Sequence, residues 1–423
     1  MRLINTSTLT FEEFFQPPEY AILSHRWGSD EVTFEQYASG KILDGPGHLK
    51  GLDCCKLARS RGRGYVWIDT CCIDKRSSAE LSESINSMWD WYANARECYA
   101  YLADVSPSAP DYDESKPLNA NARRASEWFS RGWTLQELLA PRVVVFCDTT
   151  LRIIGKKQDP FILSEVSRIT SIPTSCLASQ FSLSNACVAQ KLRWASRRST
   201  TRREDIAYCL LGLLGINMPL LYGEGGKAFL RLQQEIVRQT DDESVFAWRY
   251  AAPPVGYRSG ILAPGVEFFA HSGSVRLLEA YRDPYAITNK GLDLRVSCVR
   301  VEGTDVYVIP LNCQYGGTAE TRPLHRCYVA VQEERVSQLF SRVAVEGLGH
   351  HLFQLYSKEL HQPTTRRFII RSLRWQNEYE PANAIVQSFV QRLREKKRQK
   401  LIERVVESGR RLPVVDSDLV SQA

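Results

Sequence analysis

The sequence has no apolar run long enough to cross a bilayer. Roughly 18 to 20 uninterrupted apolar residues are needed, and the longest candidate, Ile206 to Ile216, is short and broken by glycines. A secretory leader is also missing, because Met1 to Glu19 places Glu12, Glu13 and Pro17-Pro18 where its apolar core would stand. No membrane partner is expected, and the reading places the chain in the cytoplasm, with the nucleus as the alternative. Disulfide spacing is absent too: the 12 cysteines are scattered over 423 residues, several inside apolar runs (Cys98, Cys147, Cys209), so buried free thiols are expected. The adjacent pairs Cys54-Cys55 and Cys71-Cys72 lack the two-residue gap with which neighbouring thiolates grip zinc, and no metal site is read. The net charge of +6 is too small to demand a nucleic-acid partner. No internal repeat marks a solenoid or propeller.

What is present is an ordinary globular composition, 43% hydrophobic and 24% charged. At about 100 to 200 residues per domain the length implies two or three domains. Tyr20-Ala-Ile-Leu-Ser24 reads as a buried strand running into the polar His25-Arg26-Trp27-Gly28. Leu49, Leu52, Cys55 and Ala58 recur at helical spacing, and a second strand follows at Tyr65 to Asp69. Ser77 or Ser78 caps a helix with Leu81, Ile85, Met88 and Tyr92 on one face. Cys98 to Leu102 is the third strand, and a long proline-containing loop follows it. Trp133 to Leu139 is a short helix stopped at Pro141, and Val143 to Phe146 is the fourth strand. Continuous apolar strands separated by helices predict a doubly wound α/β domain with a parallel sheet over residues 1–155. Helical periodicity dominates 156–245, short strands punctuated by Gly and Pro mark a β-rich domain over 246–380, and a basic helix and tail occupy 381–423.

In an open parallel sheet, ligands bind where the strands end. Strand one ends on Ser24, Arg26 and Trp27, strand two on Asp69 followed by Asp74, and strand three on Asp104. A guanidinium able to fork onto phosphate (Arg26), carboxylates for ribose hydroxyls (Asp69, Asp74) and rings to stack on a base (Trp27, Trp133) suit a nucleotide. The plainer alternative is that Arg26 and Asp69 pair to close the sheet edge.

Four ordered blocks resemble the fungal heterokaryon-incompatibility (HET) domain family: Tyr20-Ala-Ile-Leu-Ser-His-Arg-Trp-Gly28, Tyr65-Val-Trp-Ile-Asp-Thr-Cys-Cys-Ile-Asp-Lys75, Ala79 to Met88 and Ser130-Arg-Gly-Trp-Thr-Leu-Gln-Glu-Leu-Leu-Ala-Pro141. HET domains in turn resemble TIR domains, which implies a flavodoxin/TIR-like sheet. In enzymatic TIR domains a glutamate within Trp-Cys-Leu-x-Glu-Leu serves NAD cleavage. Trp133-Thr-Leu-Gln-Glu137-Leu138 is similar to that pattern, with Thr134 at the cysteine position. The resemblance thus implies Glu137 as the catalytic carboxylate, NAD as a candidate substrate and no bound cofactor. The chemistry asks for an anion because breaking the nicotinamide–ribose bond builds positive charge on the sugar. The role implied is non-self recognition leading to programmed cell death. The alternative is a non-catalytic scaffold that self-associates or recruits a signalling protein.

Several other signals carry less. Tyr222-Gly-Glu-Gly-Gly-Lys227 lacks the spacing and the Ser or Thr of a phosphate loop. Ser24 or Cys71 with His25 lacks an orienting third group for nucleophilic catalysis. Glu80 and Glu83 complement a helix dipole. The basic runs Arg197-Arg198, Arg202-Arg203 and Arg392 to Lys400 read as solvated surface.

Overall fold

The computed structural model describes residues 1–41, 45–113, 115–121, 124–250, 258–301, 305–316, 325–334, 339–343 and 364–371. The basic helix expected over 381–423 lies outside the described residues. Contacts divide the chain into two units. Unit 1 comprises Met1–Ala186 and Arg197–Leu232, and unit 2 comprises Cys187–Ser196 and the described residues from Gln233 onward.

Unit 1 is built on a seven-stranded sheet. Its strands are β1 (Arg2–Asn5), β2 (Phe11–Glu13), β3 (Ala21–His25), β4 (Tyr65–Trp67), β5 (Glu97–Tyr101), β6 (Val144–Cys147) and β7 (Ile153–Lys156), in the order β2-β1-β4-β3-β5-β6-β7. The four central strands are the parallel, apolar ones: β3 pairs with β4 and β5, and β5 with β6. β1, β2 and β7 add antiparallel edges, so the sheet is mixed rather than wholly parallel. These edges escape the sequence pattern because they are short and only partly buried.

Five helices matter for the site: α1 (Phe34–Ser39), α2 (Pro46–Ser60), α3 (Asp69–Cys72), α4 (Ser78–Asn94) and α5 (Thr134–Leu139). Ser77 caps α4 by accepting the Glu80 N–H, and Ile85, Met88 and Tyr92 are buried as their spacing predicts. In α2 the buried residues include Cys54, Cys55 and Ala58, whereas Leu49, read as part of that face, is 57% exposed. The chain passes from β3 to β4 on one side and then crosses to β5 on the other. This reversal makes the carboxyl ends of β3 and β5 the point where the strand order switches direction.

In unit 2, β8 (Arg258–Ser259), β9 (Val275–Leu277), β10 (Ala286–Thr288), β11 (Gly291–Arg300), β12 (Val306–Tyr315), β13 (His325–Glu333), β14 (Phe340–Val343) and β15 (Thr364–Ile370) form one sheet. Five of them close a small barrel, β11-β12-β13-β14-β15, which returns to β11. Closure removes most of the exposed edge. None of the twelve cysteines, all among the described residues, forms a disulfide.

Candidate functional site

Because side chains alternate along a strand, β3 delivers Ser24 to one face of the sheet and His25 to the other. On the first face the Trp128 indole N–H donates to Ser24 Oγ (2.9 Å), and the Ser24 hydroxyl donates to Glu137 Oε2 (2.5 Å). All three residues are buried, Glu137 being 6% exposed. Every residue of α5 is buried, so the helix is held by polar contacts to its ends. Lys157 Nζ donates to the carbonyls of Leu138 (2.8 Å) and Pro141 (2.9 Å), a cation at the helix C-terminus. At the other end Arg198 Nη1 donates to Arg131 O (2.8 Å) and Thr134 Oγ1 (2.9 Å).

Burial pushes the Glu137 carboxyl up to about 8. The Asp69 charge acts in the same direction, and the Ser24 hydrogen bond and the cations Arg131 and Arg198 act against it. Burial likewise pulls Lys157 down to about 8 and Arg198 down to about 10. At neutral pH Glu137 is therefore mostly a neutral acid.

On the opposite face His25 Nε2 lies 3.4 Å from Glu31 Oε2 and 3.9 Å from Asp69 Oδ1. Glu31 also accepts from Lys50 Nζ (2.5 Å) and the Gly28 N–H (2.8 Å). Burial alone would raise the Glu31 carboxyl, but His25, Gly28 and Lys50 together hold it well below the usual range. Trp27 donates its indole N–H to Asp69 Oδ2 (2.8 Å), and Lys75 Nζ sits 3.4 Å from the Trp27 ring centroid. Burial lowers the Lys75 ammonium, with Asp69 opposing. A small, mostly apolar cavity, partly open to solvent, lies on this face between Leu23, Glu31, Tyr37, Lys50 and Cys71. The strand tip thus has a sealed side, with Glu137, and an open side, with Trp27 and Asp69.

The other sequence-derived residues go elsewhere. Arg26 pairs with Glu127 and not with Asp69. Asp74 pairs with Arg76 (3.0 Å), and its N–H is held by Glu80 (2.8 Å). Trp133, half-buried, is hydrogen-bonded to Asp205, which also accepts from Tyr222 (3.1 Å). Asp104 caps the turn at Glu127–Ser130, accepting from Ser126 Oγ (2.5 Å) and Glu127 N–H (2.9 Å).

Sequence reasoning missed Trp128, Glu31, Lys50 and Arg198. Arg198 corrects the reading of the Arg197-Arg198 pair as solvated surface, since its guanidinium is buried. The glycine-rich turn is filled by a carboxylate: Glu204 accepts the N–H groups of Gly223 (2.8 Å) and Gly225 (2.9 Å), both at positive φ. The Cys71 thiol, hydrogen-bonded to Cys72 and buried, is pushed up, the wrong direction for a nucleophile. Among the described residues no cluster of His, Cys, Asp and Glu is arranged to hold a metal, and no helix is long and apolar enough to cross a membrane.

Residues 20–121 match the family model described as heterokaryon incompatibility protein (HET). Over these residues the chain is similar to HET domains. The HET match contains Ser24, Arg26, Trp27, Asp69 and Asp74, while Trp133 and Glu137 lie beyond it. A domain of unknown function (DUF8212) matches residues 227–272. The chain is similar to the vegetative incompatibility protein HET-E-1 of Podospora anserina, 42% identical over 222 residues. That stretch is 52% of this chain and 16% of the relative, so the chain spans under a fifth of the relative's length. No solved structure matches.

Proposed function

We propose that this chain acts in vegetative incompatibility, coupling non-self recognition to cell death, and that unit 1 is its effector, cleaving NAD at the nicotinamide–ribose bond. The observation that carries this reading is the contact between Ser24 and Glu137 at the strand end where the sheet order reverses. The TIR-like pattern around Glu137 supports the same assignment. The nucleotide, held by Trp27 and Asp69 on the open side, would have to reach over the tip of β3 for the ionised Glu137 on the sealed side to stabilise the cationic sugar. A neutral, buried Glu137 is a resting state in this scheme. Activation must bring water or substrate to it and release its proton.

A second reading is a non-catalytic scaffold that works by self-association. It is favoured by the same burial, since Glu137 is already bonded and closed from solvent. Purified chain, dilute and clustered, incubated with NAD and assayed for nicotinamide separates the two. Release that Glu137→Gln abolishes supports the hydrolase. No release from clustered protein, together with undiminished killing of cells by the Glu137→Gln chain, supports the scaffold.

A further inference from the structure

The run Arg197-Arg198-Ser199-Thr200-Thr201-Arg202-Arg203 forms a strap in unit 1 across the approach to α5. The Ser199 N–H donates to Ser130 O (2.8 Å), the Gly132 N–H donates to Ser199 O (2.9 Å), and Arg131 and Ser199 form a parallel bridge. Contact is close enough that a Cβ at Gly132 would stand 2.5 Å from Thr200 Cγ2. Arg198 passes beneath the strap to Arg131 O and Thr134 Oγ1. On the outer side Thr201 is exposed, and its hydroxyl oxygen accepts from Arg131 Nη1 (3.1 Å). Arg197, Arg202 and Arg203 are exposed around it. The carboxylates that follow are committed elsewhere, Glu204 to Gly223 and Gly225, and Asp205 to Tyr222.

We propose that Thr201 is a phosphorylation site for an arginine-directed protein kinase, and that the phosphate locks the strap onto the segment leading into α5 by pairing with Arg131. The γ-phosphoryl group of ATP passes to Thr201 Oγ1. The bond from phosphorus to the bridging oxygen of ADP breaks, the Oγ1–P bond forms, and the hydroxyl proton leaves through the kinase's base to solvent. The geometry selects Thr201 over its neighbours. The Ser199 backbone is tied on both sides, and Thr200 Oγ1 donates to Arg202 O (2.6 Å) while its methyl packs on Gly132. Thr201 alone of the three already receives an arginine N–H at its hydroxyl, so a dianion there replaces a single bond from the guanidinium to a neutral hydroxyl with a bidentate ion pair. Arg131 is also one of the cations acting on Glu137, so the modification bears on the candidate site without requiring that the site cleave NAD.

The test uses the full chain, the catalytic domain of an arginine-directed kinase and magnesium ATP, with phosphopeptide mass spectrometry and hydrogen–deuterium exchange. Phosphate is expected on Thr201 and lost in Thr201→Ala. Backbone amides of α5 should exchange at least about threefold more slowly in the phosphorylated chain. Arg131→Ala should still accept phosphate yet show no slowing, and Arg131→Lys should recover part of it. Absence of phosphate, phosphate confined to Ser199 or Thr200, or a phosphorylated Thr201 with unchanged α5 exchange would each overturn the assignment. Nicotinamide is not measured, so a failure of the hydrolase reading leaves these outcomes unaffected.

Discussion

Glu137→Gln should make the protein more stable, and increasingly so as pH rises. The unfolded carboxyl releases its proton near 4.5, whereas the folded one keeps it to about 8. Between those values the folded state binds one more proton than the unfolded state, so wild-type stability falls with rising pH through this window and levels off above it. At 1.36 kcal/mol per unit the group costs about 3 kcal/mol at pH 7 and roughly 5 kcal/mol at pH 8 or above, relative to acid. Glutamine has the same shape, cannot ionise, and can still accept from the Ser24 hydroxyl. Urea unfolding of both proteins at half-unit steps from pH 4 to 9 provides the assay. Other titrations are common to both and cancel in the difference, which isolates Glu137. The two stability profiles should be offset by a constant below pH 4.5 and diverge above it. Parallel profiles from pH 4.5 to 8 would mean that Glu137 ionises normally, and the sealed, neutral acid described above would be refuted.

Glu31 carries the opposite sign. Its folded carboxyl is held below 4.5 by His25, Gly28 and Lys50, so its contribution is present above the unfolded value and lost as pH falls; Glu31→Gln should flatten acid unfolding below pH 4.5, measured by circular dichroism. Lys157→Met removes the ammonium that satisfies the buried carbonyls of Leu138 and Pro141 and should cost about 1–3 kcal/mol in urea unfolding, despite the gain in apolarity. Gly212→Ala would place a Cβ 2.1 Å from Trp89 Cβ on α4 and should lower stability by roughly 1–3 kcal/mol; an unchanged unfolding midpoint would show that the two segments separate at little cost.

The central parallel strands and α4 are legible in the sequence because apolar runs and a 3.6-residue period each have one common physical cause, burial against a neighbouring layer. The edge strands β1, β2 and β7 are not, since a strand paired on one side and partly wet needs no strong pattern. At the site, Ser24, Trp27 and Asp69 lie at the strand ends, where the sequence reading places them. Even so, Trp27 and Asp69 meet each other on one face while Ser24 meets Glu137 on the other, a consequence of the two-residue alternation. Trp128 and Arg198 lack any local signal: each matters through a partner more than 60 residues away, Ser24 in one case and Thr134 in the other. Arg198 looks like a surface cation because its neighbours Arg197, Arg202 and Arg203 are.

The polypeptide leaves unit 1 after Ala186, returns at Arg197 and leaves again after Leu232. No cut before Leu232 can therefore leave unit 1 whole. A fragment ending with the HET match at 121 would lack α5 itself, and one ending at 156 after β7 would lack Lys157, Gln180 and Arg198, so that α5 would lose the groups that satisfy its carbonyls and secure its entry. Such a fragment would report on folding rather than on chemistry, and only a chain continuing to at least Leu232 keeps the surroundings of Glu137 whole.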